Sequence, residues 1–443
     1  MHHRVRSPRR LALLATRLLP VPELTACGQC SILVVDNLIP TPSIAGTSDS
    51  VARYCEPGRR DFSDERSLIM RNLIRSIRAV GVVLLFLAVP LGVVSPVSGA
   101  VAHSITVRGN HLVNATGHVT RLIGVDRSGT EYACEQGWGI FDGPNTASSV
   151  AAMKSWHINA VRLPLNEGCW LDLYTLANDG SDQGRNPAPF EGTAYRSAIE
   201  DYVALLHRAD IAVILDLHAL DAPGGLDVAP MADAAHSVTF WKSVARTFKN
   251  DHGVLFDVYN EPHGISWACW LHGCTTTVSG VAYQTAGMQS LVDAVRSSGA
   301  SQPIMLGGLQ WSSEETSIRQ YLPRDPDHQL VVSFHTYNFS GCSSVSCWDA
   351  TIRPLAKVMP VVTGEFGEDD CSTPFSNSYM AFADSAGISY LGWTWDAISP
   401  GGWSCKGGPS LINSYDGTPS GEGVALHTHL ASLSSDERLP AQW

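Results

Sequence analysis

Positive charge is scarce over most of this 443-residue chain. Residues 103–443 contain 18 Lys and Arg against 35 Asp and Glu, which gives a net charge of −17 with histidine neutral. A surface with this excess of acidic groups repels phosphate backbones and anionic lipid headgroups. The composition therefore disfavours nucleic acid and anionic membranes as partners. It is compatible with a soluble, exported protein that binds a neutral ligand.

Several motifs and segments are absent as well. The sequence has no Gly-x-Ser-x-Gly elbow, no Walker loop and no Gly-x-Gly-x-x-Gly fingerprint. These absences weaken the serine-hydrolase, nucleotide-binding and dinucleotide-binding interpretations. The chain also has no Pro/Ser/Thr-rich linker that would separate a second module. We therefore expect one globular domain.

The first hundred residues lack the pattern of a globular domain. A basic segment at residues 70–78 precedes an apolar stretch at 79–94 and a run of small residues that ends at Ala102. This order is typical of a cleaved secretory signal peptide. The apolar core is short for a membrane span and is interrupted by Pro90 and Pro96, so cleavage is favoured over anchoring.

These boundaries divide the chain into three parts. We expect translation to start at Met70, with residues 1–69 a disordered extension and residues 70–102 a signal peptide that is removed on export. The remaining residues, 103–443, are many for one ordinary domain but usual for a barrel of eight strand–helix units. We expect this part to be a secreted, extracellular monomer without stable membrane association.

Short apolar runs recur at intervals of about one strand–helix unit. Continuous apolarity indicates strands that are buried on both faces, as in parallel sheets. Helix-period segments lie between them, and the clearest places five apolar residues of 195–206 on one helical face. The alternation predicts an α/β fold, a closed (β/α)8 TIM barrel. The eight runs are residues 122–125, 160–163, 212–217, 254–259, 303–306, 330–334, 361–363 and 388–391.

Two glutamates stand at the ends of such runs. Glu261 belongs to Asn260-Glu261-Pro262, and Glu365 to Gly364-Glu365-Phe366. The carboxyl ends of the strands form the functional rim of a (β/α)8 barrel. Paired carboxyl groups of this kind can break a glycosidic bond, because one donates a proton to the leaving oxygen while the other stays ionised at the anomeric carbon.

Further polar and aromatic residues fall at the same strand ends. Taken singly, each has an ordinary structural explanation, such as a core histidine or a packing tryptophan. Their convergence on one rim favours a functional site instead. An arginine and histidines would keep Glu365 ionised, whereas an apolar, aromatic environment would raise the pKa of Glu261. These residues are Arg162, His218, Asn260, His335, Tyr337 and Trp393.

The two glutamate motifs, after the fourth and seventh predicted strands, resemble the retaining glycoside hydrolases of family 5, the cellulase family. The resemblance covers nearly all of residues 103–443, and all eight positions of the family's active-site set have a matching residue. It implies that Glu261 is the acid/base and Glu365 the nucleophile of a double displacement. Neither step needs a metal or another cofactor.

The resemblance also implies the supporting roles. Arg162 and Tyr337 would hold the nucleophile ionised and aligned. His218 would contact the sugar at the cleavage subsite, and Asn260 would bind the 2-hydroxyl of that sugar. His335 would support the acid/base.

Three further expectations concern the sugar-stacking tryptophan, the residue after the first strand and a pair of histidines. Trp393 would be the stacking platform below the sugar, although Trp395 could take that place. Asp126 departs from the family, in which many members have Asn after the first strand. His427 and His429 are the one metal-like pair, and we expect them to face solvent on a C-terminal helix.

The substrate is harder to derive from the sequence. Flat aromatic side chains stack on the apolar faces of pyranose rings, so several platforms favour a long β-1,4-linked polysaccharide. We expect an endo-β-1,4-glucanase, with a β-mannanase or another β-glycan hydrolase as the alternative. A non-catalytic carbohydrate-binding protein is disfavoured, since both glutamates are present. The tryptophans in predicted rim loops, some of them packing residues, are Trp138, Trp170, Trp267, Trp270, Trp311, Trp348 and Trp403.

Eight of the eleven cysteines lie after residue 102, and none of these eight forms a Cys-x-x-Cys pair. An even number behind a signal peptide favours disulfides over zinc ligands. Each follows a predicted strand, so all should gather at the catalytic rim. Neighbouring loops and two tight spacings predict the bridges Cys134–Cys169, Cys269–Cys274, Cys342–Cys347 and Cys371–Cys405.

Overall fold

Eight parallel strands, labelled β1 to β8, close into a barrel in chain order. The last strand pairs with the first, so the sheet has no free edge. Almost every residue of the strands is buried, as continuous apolar runs predict. The predicted (β/α)8 barrel is therefore confirmed. The strands are β1 Ile123–Asp126, β2 Ala160–Asn166, β3 Ala212–Ala219, β4 Val254–Asp257, β5 Ile304–Gly307, β6 Leu330–Tyr337, β7 Val361–Gly367 and β8 Ser389–Gly392.

The computed structural model describes residues 104–174, 189–221, 229–397 and 409–433. It also describes two short strands near the start of the chain, Ser31–Val34 and Val51–Tyr54, which pair antiparallel. The rest of residues 1–69 and the predicted signal peptide lie outside the described residues. No helix in the described ranges is long and apolar enough to cross a lipid bilayer.

Helices cover the outside of the barrel. Thr193–His207 buries the five apolar residues that the helical period predicts, because they form one stripe against the strands. Two more helices, Ser237–Phe248 and Met288–Ser297, pack against each other. The other helices are Ala147–Ser155, Glu167–Leu171, Trp267–His272, Val345–Ala356, Pro374–Ala386 and Gly423–Ser432, with short turns at Leu309–Ser312 and, as a 3-10 helix, at Ile318–Gln320.

A small lead-in sheet covers the amino end of the barrel. It consists of Thr106–Arg108, His111–Val113 and Val119–Thr120, paired antiparallel. Ile105 and Leu112 of this segment belong to the same buried apolar cluster as residues from the start of the barrel strands. The amino end is therefore filled with apolar side chains.

The barrel interior changes from apolar to polar along the strands. In β3, Ala212 and Ile214 belong to the interior apolar cluster. Because side chains alternate along a strand, Asp216 and His218 point to the same side. Polar groups thus collect inside the carboxyl end of the barrel. In β6 the same alternation gives Val331, Ser333, His335 and Tyr337.

Disulfides brace the loops at the carboxyl end. Three of the four predicted bridges are present: Cys134–Cys169, Cys269–Cys274 and Cys342–Cys347. Cys371 is also disulfide-bonded. Its predicted partner, Cys405, lies outside the described residues, so that pairing stays a prediction.

Replacing Cys134 and Cys169 together by serine is expected to lower the free energy of unfolding by about 2 to 4 kcal/mol, because the unfolded chain gains loop entropy. This bridge spans 35 residues, whereas Cys342–Cys347 spans 5. The same double replacement at the shorter bridge should therefore cost less. Denaturant unfolding of both variants measures the difference. An equal or larger loss from the shorter bridge would contradict the loop-length argument.

Candidate active site

A bulge in β7 turns Glu365 toward the barrel interior. Val362 packs in the interior cluster, so strict alternation would turn Gly364 inward and Glu365 outward. The pairing with β6 shifts register here, and Glu365 lies opposite His335. Glycine is required next to it, since a Cβ atom at residue 364 would lie 2.7 Å from Nε2 of His335. Glu365 therefore lies within β7, not after it as the sequence suggests.

Glu365 is buried between a guanidinium and a phenol. Nη1 of Arg162 donates to its Oε1 at 2.7 Å, and the hydroxyl of Tyr337 donates to its Oε2 at 2.6 Å. Burial opposes its ionisation, but the charges of His335, Arg162 and His218 and the Tyr337 hydrogen bond outweigh burial and lower the pKa of Glu365 to about 2. The carboxyl group is therefore ionised at neutral pH.

Glu261 lies in the loop after β4, across from Glu365. Its side chain is 24% exposed, and its Oε1 lies 3.0 Å from Nδ1 of His335. The same nitrogen lies 3.6 Å from Oε2 of Glu365. Carboxylate oxygens of the two glutamates come within 4.8 Å of each other. The structure does not show the apolar environment expected for Glu261, because an imidazole and a second carboxylate flank it.

The guanidinium of Arg162 on β2 connects the site residues. It is fully buried, and its nitrogens contact carboxyl groups from four strands. Nη2 also donates to Oδ1 of Asn260 at 2.8 Å, which fixes the loop that contains Glu261. The four acidic partners are Asp126 at 3.0 Å, Asp216 at 3.1 Å, Asp257 at 3.1 Å and Glu365 at 2.7 Å.

His218 at the end of β3 is held as a cation. Its Nδ1 lies 2.8 Å from Oδ2 of Asp216. Burial alone would lower its pKa, but the hydrogen bond to Asp216 and the negative charges of Asp216, Glu131 and Glu365 raise the pKa of His218 to about 10. The imidazole therefore adds a second positive charge next to Arg162. Its Nε2 lies 3.3 Å from Nδ2 of Asn260, and because both nitrogens carry hydrogen when the imidazole is protonated, this contact is not a hydrogen bond in the cationic form.

Several residues of this site are not among those predicted from the sequence. Asp216 and Asp257 each interrupt an apolar strand, and such an interruption in a buried run is the signal that could have revealed them. Phe339 is 65% exposed and stacks on Tyr337, with ring centroids 5.1 Å apart. In the sequence, only its position two residues after Tyr337 indicates that Phe339 could lie near the site.

A profile of the cellulase family, glycosyl hydrolase family 5, matches residues 113–399, well over half of the chain. The chain belongs to glycosyl hydrolase family 5. It is thus an enzyme that acts on O-glycosyl bonds, and the resemblance noted from the sequence is confirmed.

Relatives with different substrates are about equally similar to this family 5 enzyme. The mannan endo-1,4-beta-mannosidase of Streptomyces lividans is 23% identical over 316 residues, 68% of each chain. Endoglucanase A of Butyrivibrio fibrisolvens is 23% identical over 265 residues, 59% of this chain and 52% of the relative. The chain therefore spans between about half and two thirds of the length of these curated relatives.

Solved structures of the family share the fold. The beta-glucanase SdGluc5_26A from Saccharophagus degradans, in complex with cellotetraose, superimposes with a TM-score of 0.54 at 19% identity, over 74% of this chain and 93% of that one. The beta-mannanase from Thermomonospora fusca gives 0.55 at 19% identity, over 76% and 99%. At such identities the similarity shows the barrel alone.

The structure distinguishes the two candidate sugar platforms of this family 5 barrel. Trp393 is half-buried and stacks on His218, with ring centroids 5.4 Å apart and planes 16° from parallel. Trp395 is fully buried and packs edge-on against Trp156 at 4.9 Å. Of the two, Trp393 is the one with surface left for a ligand.

The other rim tryptophans fall into two groups. Trp138 and Trp311 are 66% and 51% exposed, and Trp267 is half-buried. Trp403 lies outside the described residues. Three others serve the core and offer no surface to a sugar: Trp170, Trp270 and Trp348.

A left-handed turn carries Trp311 on the loop after β5. Residues 310–312 have φ angles of 54°, 58° and 52°, which residues other than glycine rarely adopt. The backbone N–H of Trp311 donates to the carbonyl of Pro262 at 3.1 Å. Oγ of Ser312 donates to the carbonyl of Asn260 at 2.8 Å. The turn is thus attached on both sides of the glutamate in the β4 loop.

Potential metal ligands come together in two places among the described residues. Each group has three ligand atoms within 4.8 Å of one another: Glu261, His335 and Glu365, and Glu167, Asp233 and His236. The expectation that the chemistry needs no metal or other cofactor stays a prediction. His427 and His429 do not act as a pair, since they contact Trp156 and Asp384 and are half-buried instead of facing solvent.

Tyr337→Phe is expected to raise the pKa of Glu365, because the carboxylate loses a hydrogen bond that favours its charged form. A hydrogen bond to a charged group contributes about 1.5 to 3 kcal/mol, which corresponds to roughly one to two pKa units. Activity that requires ionised Glu365 should then be lost at a higher pH as the solution is acidified. The pH profile of kcat/KM measures the shift. Tyr390→Phe, which removes a hydroxyl that contacts Asp384 instead, is the matched control and should leave the acid limb in place.

Proposed function

We propose that this protein is a secreted, retaining endo-β-1,4-glucanase that hydrolyses β-glucan chains by double displacement. The observation that carries the proposal is the close approach of Glu261 and Glu365, with carboxylate oxygens within 4.8 Å. Retaining glycosidases place their carboxyl groups about 5 to 5.5 Å apart, whereas inverting ones leave about 6.5 to 9.5 Å for a water molecule. The short separation supports retention.

The environments of the two glutamates suit the two roles of the first step. Glu365, ionised through its contacts with Arg162 and Tyr337, attacks the anomeric carbon. As that bond forms, the glycosidic C–O bond breaks and Glu261 gives its proton to the leaving oxygen. Glu261 is partly exposed at the rim, so the leaving group can depart into solvent.

In the second step Glu261 acts as a base instead of an acid. Now a carboxylate, Glu261 takes a proton from water as the water oxygen attacks the anomeric carbon from the same side as the departed group. The ester bond to Glu365 breaks, and Glu365 leaves as the carboxylate that Arg162 and Tyr337 stabilise. Glu261 is protonated again, and the sugar keeps its original configuration.

Exposed aromatic surfaces support a polysaccharide substrate. Trp138, Trp311 and Phe339 are each more than half exposed, and the half-buried Trp393 stacks on His218. Such surfaces stack on equatorial pyranose rings. The mannan-cleaving relative is as similar as the endoglucanase, so β-mannanase is the second candidate. Secretion rests on the signal-peptide pattern of residues 70–102, and sequencing the amino terminus of the exported protein tests it.

The catalytic assignment is tested with two alanine variants. Glu365→Ala should abolish hydrolysis of every substrate, because no intermediate can form. Glu261→Ala should still react with substrates whose leaving group needs no protonation, and azide should restore turnover by forming a β-glycosyl azide. Glu200→Ala, which removes an exposed glutamate on the outer helix Thr193–His207, is the control. An α-configured azide product would overturn the retaining mechanism.

The substrate is tested by comparing kcat/KM of the purified protein on carboxymethylcellulose, mannan, xyloglucan and laminarin. We expect the β-1,4-glucan to be preferred, with a rapid fall in viscosity and little free glucose at early times, as an open cleft cuts chains internally. A higher kcat/KM on mannan would establish the mannanase alternative. Binding without hydrolysis of any of them would favour the carbohydrate-binding alternative.

A further inference from the structure

Asp126 and Glu365 share one nitrogen of Arg162. Nη1 lies 3.0 Å from Oδ1 of Asp126 and 2.7 Å from Oε1 of Glu365. All three side chains are buried. The two carboxyl groups therefore accept hydrogen bonds from the same donor. A change in the charge or position of Asp126 alters the interaction of Arg162 with Glu365.

The number of charges in this cluster constrains Asp126. Arg162 and the protonated His218 provide two positive charges, and His335 beside Glu365 provides a third when it is protonated. They face the carboxyl groups of Asp126, Asp216, Asp257 and Glu365. Four ionised carboxylates would exceed this positive charge even with His335 counted, which is strongly unfavourable in a buried site. At least one of the four must therefore hold a proton.

Two of the four carboxyl groups have contacts that favour a negative charge. Glu365 accepts from both Arg162 and Tyr337. Asp216 contacts both cations, Arg162 at 3.1 Å and His218 at 2.8 Å, through Oδ2. Burial raises the pKa of Asp257 only to about 6, because the charge of Arg162 and the hydrogen bond from Ser333 oppose it. Asp126 is therefore the one of the four that is left to hold a proton at neutral pH.

Burial raises the pKa of Asp126 well above its usual value. The positive charge of Arg162 opposes this shift, and the negative charges of Glu365 and Asp216 add to it. Thr394 and Trp395, after β8, donate hydrogen bonds to the backbone carbonyl of Asp126 and not to its carboxyl group. Oδ2 of Asp126 makes no hydrogen bond to a described residue, so the proton can reside there.

We propose that Asp126 is a positioning residue for the nucleophile: as a neutral carboxylic acid it holds the guanidinium of Arg162 in place without competing for its charge. The proposal rests on the double-displacement function proposed above. Its carbonyl oxygen, Oδ1, accepts from Nη1 and keeps that nitrogen oriented toward Glu365. An ionised Asp126 would instead draw on the same positive charge and would make Glu365 harder to ionise.

The test compares Asp126→Ala with Asp126→Asn. The alanine variant removes the acceptor, so Arg162 should loosen from Glu365, kcat should fall by roughly ten- to a hundredfold, and the acid limb of the pH profile should move to higher pH. KM should change little. The asparagine variant keeps a neutral acceptor of the same size, and it should recover most of the lost kcat and return the acid limb toward that of the unmodified enzyme.

A shift of the acid limb to lower pH would overturn the proposal. If Asp126 is an anion, either replacement removes a negative charge beside Glu365, so the acid limb should move to lower pH in both variants. An asparagine variant that is as impaired as the alanine variant would also refute it. Asp396→Ala, which removes a buried aspartate bonded to Tyr415 at 2.7 Å, is the matched control and should not move the acid limb.

A measurement without catalysis separates this proposal from the proposed function. The infrared difference spectrum between the unmodified protein and Asp126→Asn at neutral pH should contain the carbonyl band of a protonated carboxylic acid. A carboxylate band in its place would disprove the neutral state of Asp126. If the unmodified protein hydrolyses no β-glycan, the proposed function fails, while the spectrum still reports the protonation of Asp126.

Discussion

The buried guanidinium of Arg162 is the interaction on which the catalytic end of this barrel depends. It collects carboxyl groups from strands that are far apart in the sequence, and it also binds the amide of Asn260 in the β4 loop. A guanidinium cannot lose its proton in a protein, so this charge is permanent. Because the charge of Arg162 does not change with pH, the protonation of each neighbouring carboxyl group depends on its burial and on its other contacts. Arg162 thus influences both where these carboxyl groups lie and which of them are ionised.

The location of this charge follows from the division of the barrel interior. Apolar residues fill the amino half, aided by Ile105 and Leu112 of the lead-in sheet, and polar residues begin where the strands reach their carboxyl ends. The apolar half excludes water from below, which strengthens every electrostatic contact above it. The amino ends of the strands therefore stabilise the barrel, and their carboxyl ends hold the polar residues of the site.

The sequence predicts the barrel well because short continuous apolar runs alternate with helix-period segments, a pattern typical of buried parallel strands joined by helices. It predicts the site less completely. Placing Glu365 inside β7 required the bulge at Gly364, and the acidic partners of Arg162 meet only after the barrel closes. Tryptophans were the weakest point, since Trp393 and Trp395 are two residues apart yet only the second is fully buried. Exposure of an aromatic ring depends on the neighbours that the fold brings to it.

The left-handed turn at residues 310–312 has a mechanical consequence. Three successive non-glycine residues with positive φ cost on the order of 1 to 2 kcal/mol each, so the turn persists because its hydrogen bonds to Pro262 and Asn260 hold it. Those anchors flank Glu261 on either side. The loop that contains Trp311 is therefore tied to the β4 loop at the two residues that flank Glu261, so a displacement of either loop would strain the hydrogen bonds that join them.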